Sequence, residues 1–335
     1  MSPDNYMDIS KTGRDCDITY TLKRGSWSGE DSIADINGYG YASGREDGST
    51  AEPSGNWDNH QDDCALWFDA YQNDKDNDGL TYWEEVNVYG TSTTTTNRRY
   101  AILVGINDYQ YISDLYNCVN DVNDWKKYLE ERKWTISYTL TNSQATETNI
   151  KNAISNVKAG ATPNDQILFM FSGHGMHYSE VGISGTGSVI ACYDGSTSSG
   201  TTGNLQDTEL QSAFSGYTGK VFIFLDSCRS GGMNEVVSND PNGANRYMTT
   251  TCTANGYGWD VSTFKNSAWT YFFLEWGLVN GNSGYDYMEG NFPPSYNEYR
   301  GWHKNNVNEI SYPWTNGDEP MAFDGDTTKL FYLWW

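Results

Sequence analysis

Apolar and polar positions follow a repeating order from about residue 100 onward. Continuous apolar runs, typical of strands buried on both faces, alternate with segments whose apolar residues recur every three or four positions, typical of helices. The predicted strands are 100–106, 136–140, 167–171, 189–193, 221–225, 247–252 and 330–334, and the predicted helices are 119–129, 146–157, 205–214 and 268–276. Strands that alternate with helices predict an α/β fold with βαβ units and a largely parallel sheet covered on both faces.

The first 97 residues have a different pattern. They are crowded with Gly, Asp, Asn and Ser, and their apolar residues are isolated aromatics or short alternations, which predicts a few short strands and turns around one helix. A threonine-rich stretch, 91–96, leads into Arg98-Arg99 and predicts an exposed linker. We therefore expect two parts, a small N-terminal region over 1–97 and a larger domain over 98–335.

Charge narrows the classes of partner. The chain has 335 residues with 44 acidic and 21 basic side chains, a net charge of −23, which argues against nucleic acid because phosphate binding needs clustered Lys and Arg. Cationic partners, such as metal ions or basic peptide segments, are favoured instead. No run of about 18 apolar residues occurs, so no membrane span is expected. Six cysteines and a lysine-poor surface favour an extracellular or cell-envelope location.

One loop in the N-terminal part carries the ligand spacing of a calcium site. Hard Ca²⁺ prefers six to eight oxygens, and the stretch 74–85 supplies carboxylates at positions 1, 3, 5 and 12, a glycine at 6 and a backbone carbonyl at 7. The predicted ligands are Asp74, Asp76, Asp78, Leu80 (through its carbonyl) and Glu85. The loop resembles an EF-hand loop and the calcium repeats of thrombospondin-type-3-like extracellular modules, and we expect a structural Ca²⁺ there.

Two buried strands end in polar corners that carry glycine. Ser172-Gly-His174-Gly175 follows one strand, and Asp226-Ser-Cys228 follows another. Because the carboxyl ends of parallel strands meet at one edge of a sheet, we expect the two corners to converge. A cysteine beside a histidine supplies a nucleophile and a proton carrier, and the backbone N–H groups of Gly175 and Cys228 are natural donors to an oxyanion.

These corners resemble those of the caspase and metacaspase superfamily, and of metacaspases most. The resemblance covers roughly residues 99–280 and includes the strand 100–106, the segment Leu-Tyr-Asn-Cys-Val-Asn-Asp at 115–121 and both corners. Cys228 follows His174 by 54 residues, and caspase-like nucleophiles follow their histidine by about 50. The resemblance implies a caspase-like α/β/α sandwich, a cysteine endopeptidase, and a dyad of Cys228 and His174.

The resemblance also implies a substrate. Metacaspase-like enzymes cut after Arg or Lys, and the matching pocket positions here are Asp121 and Asp226, with Ser172 and Cys118 as walls. A desolvated guanidinium needs a fixed carboxylate, so the expected partners are proteins or peptides with basic residues. The bond after Arg98 or Arg99 is then a candidate self-cleavage site; Lys220 and Arg246 are others.

The chain departs from the metacaspase pattern in two places. Residues 178–203 contain only Glu180 and Asp194 as acids, which argues against calcium activation through the catalytic part. Arg229 stands where metacaspases commonly have histidine, and a cation there is expected to lower the pKa of the Cys228 thiol.

The other cysteines suggest pairings without fixing them. Cys16 and Cys64 lie in the same N-terminal part and would form a bridge in an oxidising compartment, whereas Cys118 and Cys192 are candidates to approach each other at the sheet edge. This arrangement leaves Cys252 unpaired, although spacing alone does not determine connectivity.

Two other interpretations stay open. One is a binding or scaffold protein that has this fold without activity, because a fold does not guarantee its chemistry. The other is a legumain- or gingipain-type peptidase, which shares the dyad and the sheet but prefers a different residue before the cut.

Overall fold

The computed structural model describes residues 96–198, 200–285, 287–307, 317–326 and 331, together with an antiparallel pair formed by Ala34–Asp35 and Ala42–Ser43. The chain divides into two units, Met1–Asn97 and Arg98–Trp335, and every further element named below belongs to the second. The predicted calcium loop, 74–85, lies outside the described residues, and so do Cys16 and Cys64.

The strands and helices alternate much as the apolar pattern predicts. The strands are β1 (Arg99–Gly105), β2 (Thr135–Thr141), β3 (Gln166–Ser172), β4 (Gly175–His177), β5 (Ser188–Ala191), β6 (Asn204–Gln206), β7 (Lys220–Asp226), β8 (Arg246–Thr250), β9 (Asp260–Val261), β10 (Asn266–Ser267) and β11 (Met321–Asp324). The α-helices are α1 (Cys118–Glu130), α2 (Glu147–Gly160), α3 (Asp207–Phe214), α4 (Glu235–Ser238), α5 (Ala268–Thr270) and α6 (Met288–Asn306). A π-helix, Tyr271–Val279, continues α5, and 3₁₀ turns lie at Asn142–Gln144, Tyr178–Glu180, Ser230–Met233 and Gly243–Asn245.

Six strands form the central sheet, in the order β11-β8-β7-β3-β1-β2. All neighbours are parallel except the antiparallel pair of β8 and β11. Gly105, Ser172 and Asp226 stand side by side at the carboxyl ends of β1, β3 and β7. Three strands therefore deliver their following loops to one stretch of the sheet edge.

The sheet has helices on both faces, and alternate residues of each strand pack on opposite sides. In β7, Phe222 and Phe224 contact the core that also holds Trp125 of α1, and this side is called the α1 face. Ile223 and Leu225 point to the other core, which holds α2, α3 and α4 and is called the α2 face. Burial on both sides explains the continuous apolar runs and confirms the predicted α/β/α arrangement with a mainly parallel sheet.

Helix α1 follows the predicted spacing, and a side chain caps the start of α2. On α1 the buried apolar residues include Val122, Trp125 and Leu129, which lie three and four positions apart on one side. The Thr146 hydroxyl accepts a hydrogen bond from the Asn149 N–H at 3.2 Å and caps the start of α2. Among the described residues no helix combines the length and the apolar character that crossing a bilayer requires.

Three predicted elements differ from the structure. The strand predicted at 189–193 is β5, which pairs with β4 and β6 in a separate antiparallel sheet rather than joining the central one. The helix predicted at 268–276 changes to π-helical bonding after Thr270. Of the terminal strand predicted at 330–334 only Phe331 is described, and it is not in a strand. The edge strand is β11 instead, whose four residues are too few to show a clear period.

The prediction of an exposed linker is wrong at Arg99, whereas the Arg98 side chain is exposed and residues 91–95 lie outside the described part of the chain. Arg99 is the first residue of β1, is 4% exposed and pairs with Gln166, while the Arg98 N–H donates to Asp165 at 2.7 Å. A peptidase needs an extended, accessible segment, and a bond within a central strand offers none. The alternative cleavage candidates, Lys220 and Arg246, also begin central strands, β7 and β8.

Candidate active site

The two predicted corners lie against each other at the sheet edge. The Gly173 N–H donates to the Asp226 carbonyl at 3.2 Å, so the corner after β3 is bonded directly to the end of β7. A side chain at Gly175 would overlap the Cys228 carbonyl oxygen. Only glycine permits this approach, and it brings the backbones of the His174 and Cys228 corners into contact.

His174 is half-buried and is held from both ends. Its N–H donates to the Tyr109 hydroxyl at 2.8 Å, and its ring lies 5.0 Å from the Tyr109 ring. The ring Nε2 lies 2.8 Å from the Ser113 carbonyl oxygen. Because a carbonyl only accepts, Nε2 carries the proton, and in the neutral imidazole Nδ1 holds the lone pair. Burial lowers the pKa of His174, although the Ser113 bond and the charges of Asp260 and Asp114 oppose the shift.

Cys228 is partly exposed, and its sulfur touches a backbone loop. Its Sγ accepts a hydrogen bond from the Gly258 N–H at 3.3 Å. Burial raises the pKa of the Cys228 thiol, while the Gly258 contact and the charge of Arg229 pull it down. Arg229 therefore lowers the pKa of the Cys228 thiol as expected, but desolvation of the thiolate outweighs this contribution and the net pKa is raised.

The backbone N–H of Gly175 takes no part in the hydrogen bonds between β4 and β5. The Ala191 N–H donates to the His174 carbonyl at 2.9 Å, and in an antiparallel ladder bonded and unbonded pairs alternate. The next pair, Gly175 with Ile190, is then an unbonded one, so the ladder does not use the Gly175 N–H. This geometry suits an oxyanion donor next to the nucleophile.

The four residues predicted to bind a basic side chain also come together. The Ser172 hydroxyl donates to Asp121 at 2.6 Å, and Asp121 also accepts from the Ser267 N–H at 2.9 Å. Asp226 accepts from the N–H and the hydroxyl of Thr270, at 2.7 and 2.9 Å. Asp121, Asp226 and Ser172 are here called the acid cluster; buried Cys118 lies beside them, and its thiol pKa is raised by burial and by the charge of Asp121.

The acid cluster carries unbalanced negative charge. Asp121 is fully buried and Asp226 is 3% exposed, and neither has a Lys or Arg partner within the part of the chain that the structure describes. Burial raises the pKa of Asp121 to about 6, and burial together with the charge of Asp121 raises that of Asp226 to about 8. An arriving cation would relieve both shifts, so the cluster favours a cationic group.

A family model described as the caspase domain matches residues 98–289, which is more than half of the chain. The chain belongs to the caspase-domain family. The match confirms the predicted caspase-like family and mainly parallel α/β fold, but not the predicted calcium-binding segment, and membership classes the chain with cysteine peptidases.

Curated relatives of this caspase-like chain are fungal metacaspases. It is 37% identical over 89 residues to metacaspase-1 of Sclerotinia sclerotiorum, covering 24% of this chain and 21% of that protein. It is 28% identical over 162 residues to metacaspase-1 of Coccidioides immitis, covering 45% and 30%. In both, the match spans less than a third of the relative's length. A crystal structure from Geobacter sulfurreducens matches with a TM-score of 0.46 at 18% identity, covering 68% of this chain and 92% of that one.

Arg229 ties the loop beside the nucleophile of this caspase-like site to the β4–β5 hairpin. Its guanidinium donates to Glu180 at 3.2 and 3.3 Å, to the Asn255 carbonyl at 2.5 Å and to the Tyr257 hydroxyl at 3.1 Å. It also lies over the Tyr257 ring, 4.2 Å from the centroid. Its backbone is left-handed, with φ of 61°, which fixes the turn after Cys228. Arg229 therefore holds the segment that carries Gly258 against the sulfur.

The remaining described cysteines are free thiols. Cys118, Cys192 and Cys252 are all buried and unbridged, so the suggested approach of Cys118 to Cys192 does not produce a disulfide. Cys118 begins α1 after β1, whereas Cys192 follows β5 of the separate antiparallel sheet. Cys252 is unpaired, as expected, and its Sγ lies 3.4 Å from the Ser227 carbonyl oxygen.

Sequence reasoning missed the residues that orient the predicted dyad. Ser113 acts through a backbone carbonyl and Gly258 through a backbone N–H, and neither function leaves a mark on residue type. Tyr109 could have been noticed from the sequence, because it is an aromatic residue three positions after the predicted strand 100–106.

Within the described residues no group of three or more His, Cys, Asp and Glu side chains is placed to hold a metal ion.

Proposed function

We propose that the chain is a cysteine endopeptidase that cuts after Arg or Lys, with Cys228 as nucleophile and His174 as its acid/base partner. The observation that carries the proposal is the contact of the two strand-end corners beside a buried acid cluster that has no Lys or Arg partner among the described residues. Family membership supports the reaction class. The basic preference is supported by Asp121 and Asp226, whose raised pKa values an arginine or lysine side chain would reverse.

In the proposed reaction the two corners supply the nucleophile, the proton carrier and the oxyanion donors. The Cys228 thiol gives its proton to Nδ1 of His174 as the sulfur attacks the substrate carbonyl carbon, and the oxyanion forms near the N–H groups of Gly175 and Cys228. His174 then gives that proton to the leaving amine, and a thioester remains on Cys228. Water hydrolyses the thioester, with His174 accepting and returning a proton, and the thiol is restored.

Peptide cleavage by the full chain tests this proposal. Fluorogenic peptides that differ only in the residue before the cut (Arg, Lys, Asp or Asn) are compared, and we expect Arg and Lys to be cut at least about 100-fold faster, because an unpaired buried carboxylate rejects the others. Cys228→Ala is expected to reduce the rate to background. Cleavage only after Asn or Asp would favour a legumain-type preference, and a wild-type chain without cleavage of any peptide would favour the inactive scaffold.

The calcium loop stays a prediction of its own. Isothermal titration of the full chain with Ca²⁺ is expected to give one binding event that Glu85→Gln weakens about tenfold or more, because the last position supplies a bidentate carboxylate. Asp69→Asn, a change of a nearby carboxylate outside the loop, is the matched control. An unchanged titration in Glu85→Gln would contradict the assignment. The extracellular or cell-envelope location likewise stays a prediction.

A further inference from the structure

A cavity of about 370 Å³ lies between the β4–β5 hairpin and the turn that follows Cys228. One wall is the β4–β5 hairpin, including Tyr178, Gly187 and Ser188. The opposite wall includes Gly232, four residues after Cys228, and Asn255, whose carbonyl accepts a hydrogen bond from Arg229. The cavity is therefore built partly from the same backbone turn that presents the sulfur.

The cavity and the acid cluster lie on opposite faces of the central sheet. Ser172 and Asp226 stand two positions after Met170 and Phe224, which pack in the core of the α1 face, and side chains two positions apart share a face. The cavity belongs to the other side, because Ile190 of β5 and Met233 of the turn after Cys228 pack in the core of the α2 face.

A peptide that places its basic side chain in the acid cluster and continues across Cys228 reaches the face of the sheet that holds the cavity. We propose that this cavity is the subsite for the residue immediately after the scissile bond, and that it prefers a mid-sized, uncharged side chain with an amide tip, such as glutamine. The inference rests on the proposed peptidase function, since it concerns the leaving side of the same bond.

The polar preference follows from one buried hydroxyl. Ser188 is 1% exposed, and its N–H donates to Asp207 at 2.9 Å, but its Oγ has no hydrogen-bond partner among the described residues. The Oγ faces the cavity wall at Gly232, where any side chain would overlap it. A buried hydroxyl without a partner is costly, and it is both a donor and an acceptor. An amide tip complements both roles.

The charge around the cavity disfavours an acidic ligand and offers little to a basic one. Asp207 already accepts from the Tyr178 hydroxyl and from the Ser188 N–H. Glu180 accepts from the His177 N–H and pairs with Arg229. A further carboxylate would be repelled, and a cation would find these acids already bonded, so an uncharged side chain fits best.

The test uses the full chain and internally quenched peptides that share Arg before the cut and differ only after it, with Gly, Leu, Gln or Glu. We expect kcat/KM for Gln to exceed that for Leu about fivefold, the effect of one hydrogen bond, and to exceed those for Gly and Glu about tenfold. Equal kcat/KM for all four peptides would overturn the inference.

Two variants localise the effect. Ser188→Ala removes the hydroxyl and is expected to bring the ratio of kcat/KM for Gln to that for Leu close to one. Ala254→Trp fills the cavity and is expected to bring the ratio of kcat/KM for Gln to that for Gly close to one. Ala159→Trp, on an exposed position of α2, is the matched control and should keep both wild-type ratios. If Ala254→Trp does not fold, the smaller Ser188→Ala change still decides; wild-type ratios in Ser188→Ala would overturn the inference.

A second measurement separates this inference from the proposed function. A peptidyl-arginine chloromethyl ketone alkylates a catalytic cysteine without using any subsite after the cut. Labelling of Cys228 together with equal cleavage of all four peptides would overturn the subsite alone. The absence of both labelling and cleavage would overturn the peptidase proposal and the subsite with it.

Discussion

Burial acts on Cys228 and His174 in opposite directions. It raises the pKa of the thiol above its ordinary 9.0 and lowers the pKa of the imidazole below its ordinary 6.5. Both groups are therefore uncharged at neutral pH in the free protein. If Cys228 and His174 act as the proposed dyad, the proton moves from sulfur to Nδ1 during attack on a substrate, and not beforehand as in a preformed thiolate–imidazolium pair.

This proton arrangement predicts a pH dependence for thiol modification. Alkylation of Cys228 by iodoacetamide should stay slow through neutral pH and rise with an inflection above 9, because only the thiolate reacts and burial disfavours it. The rate is followed by mass spectrometry, with Cys228→Ala as the control for the buried thiols. An inflection below 7 would mean that a thiolate–imidazolium pair exists in the free protein.

Ionised Asp226 destabilises the folded protein, and its pKa shift is upward, opposite to the downward shift of an ordinary paired carboxylate. Its folded pKa of about 8 lies above the unfolded value near 3.8, so the folded state binds the extra proton between these values. Stability is then greatest below about pH 4 as far as this group is concerned, falls as the pH rises through the interval, and levels off above about pH 8.

Asp226→Asn is therefore expected to stabilise the protein while it impairs cleavage. At pH 8 the amide avoids burying a charge, and the midpoint of thermal unfolding should rise by roughly 2–4 °C, with a smaller gain toward pH 4. Cleavage after Arg should fall about 100-fold or more. Glu131→Gln, a charge removal at a side chain that is 58% exposed, is the control. A lower midpoint at pH 8 would show that the Asp226 charge stabilises the fold.

At the scale of elements, the turn after Cys228 and the segment 255–258 work as a unit joined by Arg229. The guanidinium makes its bonds in a planar fork to Glu180, the Asn255 carbonyl and the Tyr257 hydroxyl. Lysine keeps the charge but cannot reproduce that fork. The position of Gly258 against the sulfur therefore depends on the shape of Arg229 as well as on its charge.

Arg229→Lys is expected to lower kcat/KM about tenfold and to speed chymotryptic cleavage after Tyr257, because the segment loses several of its anchors. Glu180→Gln is the companion variant, since it weakens the ion pair but leaves the bond to the Asn255 carbonyl, and its effect should be smaller. Wild-type kinetics and wild-type protease resistance in Arg229→Lys would argue against the clamp.

At the scale of the whole molecule, the net charge of −23 should draw cationic substrates toward the site. We expect kcat/KM for an Arg peptide to fall severalfold as the ionic strength rises from about 10 to about 200 mM, because salt screens this long-range attraction. The alkylation rate of Cys228 by uncharged iodoacetamide is the control and should change little. Equal salt responses for both reactions would remove steering as the explanation.

The central sheet also protects the peptide bond after Arg99 from self-cleavage. Arg99 is buried at the start of β1, so the bond after it should stay intact in active, folded protein, and any new N-terminus should map elsewhere. N-terminal sequencing after prolonged incubation checks this, with Cys228→Ala as the control for contaminating proteases. Tyr100 as a new N-terminus in folded wild-type protein alone would contradict it.

The sequence by itself determined the layers of the fold and predicted the candidate dyad. Apolar runs such as 167–171 and 221–225 require burial on both faces, and the position of His174 and Cys228 directly after them follows from the parallel sheet. The resemblance to caspases and metacaspases also pointed to the residues of the acid cluster, because they stand at the matching motif positions.

Only the tertiary structure decided how those residues are held. The Ser113 carbonyl and the Gly258 N–H are backbone groups, so residue type does not reveal which side chains they contact. Burial depends on the whole fold and not on any single residue. It raises the pKa of the Cys228 thiol although the charge of Arg229 lowers it. The tertiary structure also decided that the Ser188 hydroxyl lacks a hydrogen-bond partner among the described residues and that Arg99 is buried. Both result from residues that are distant in the chain.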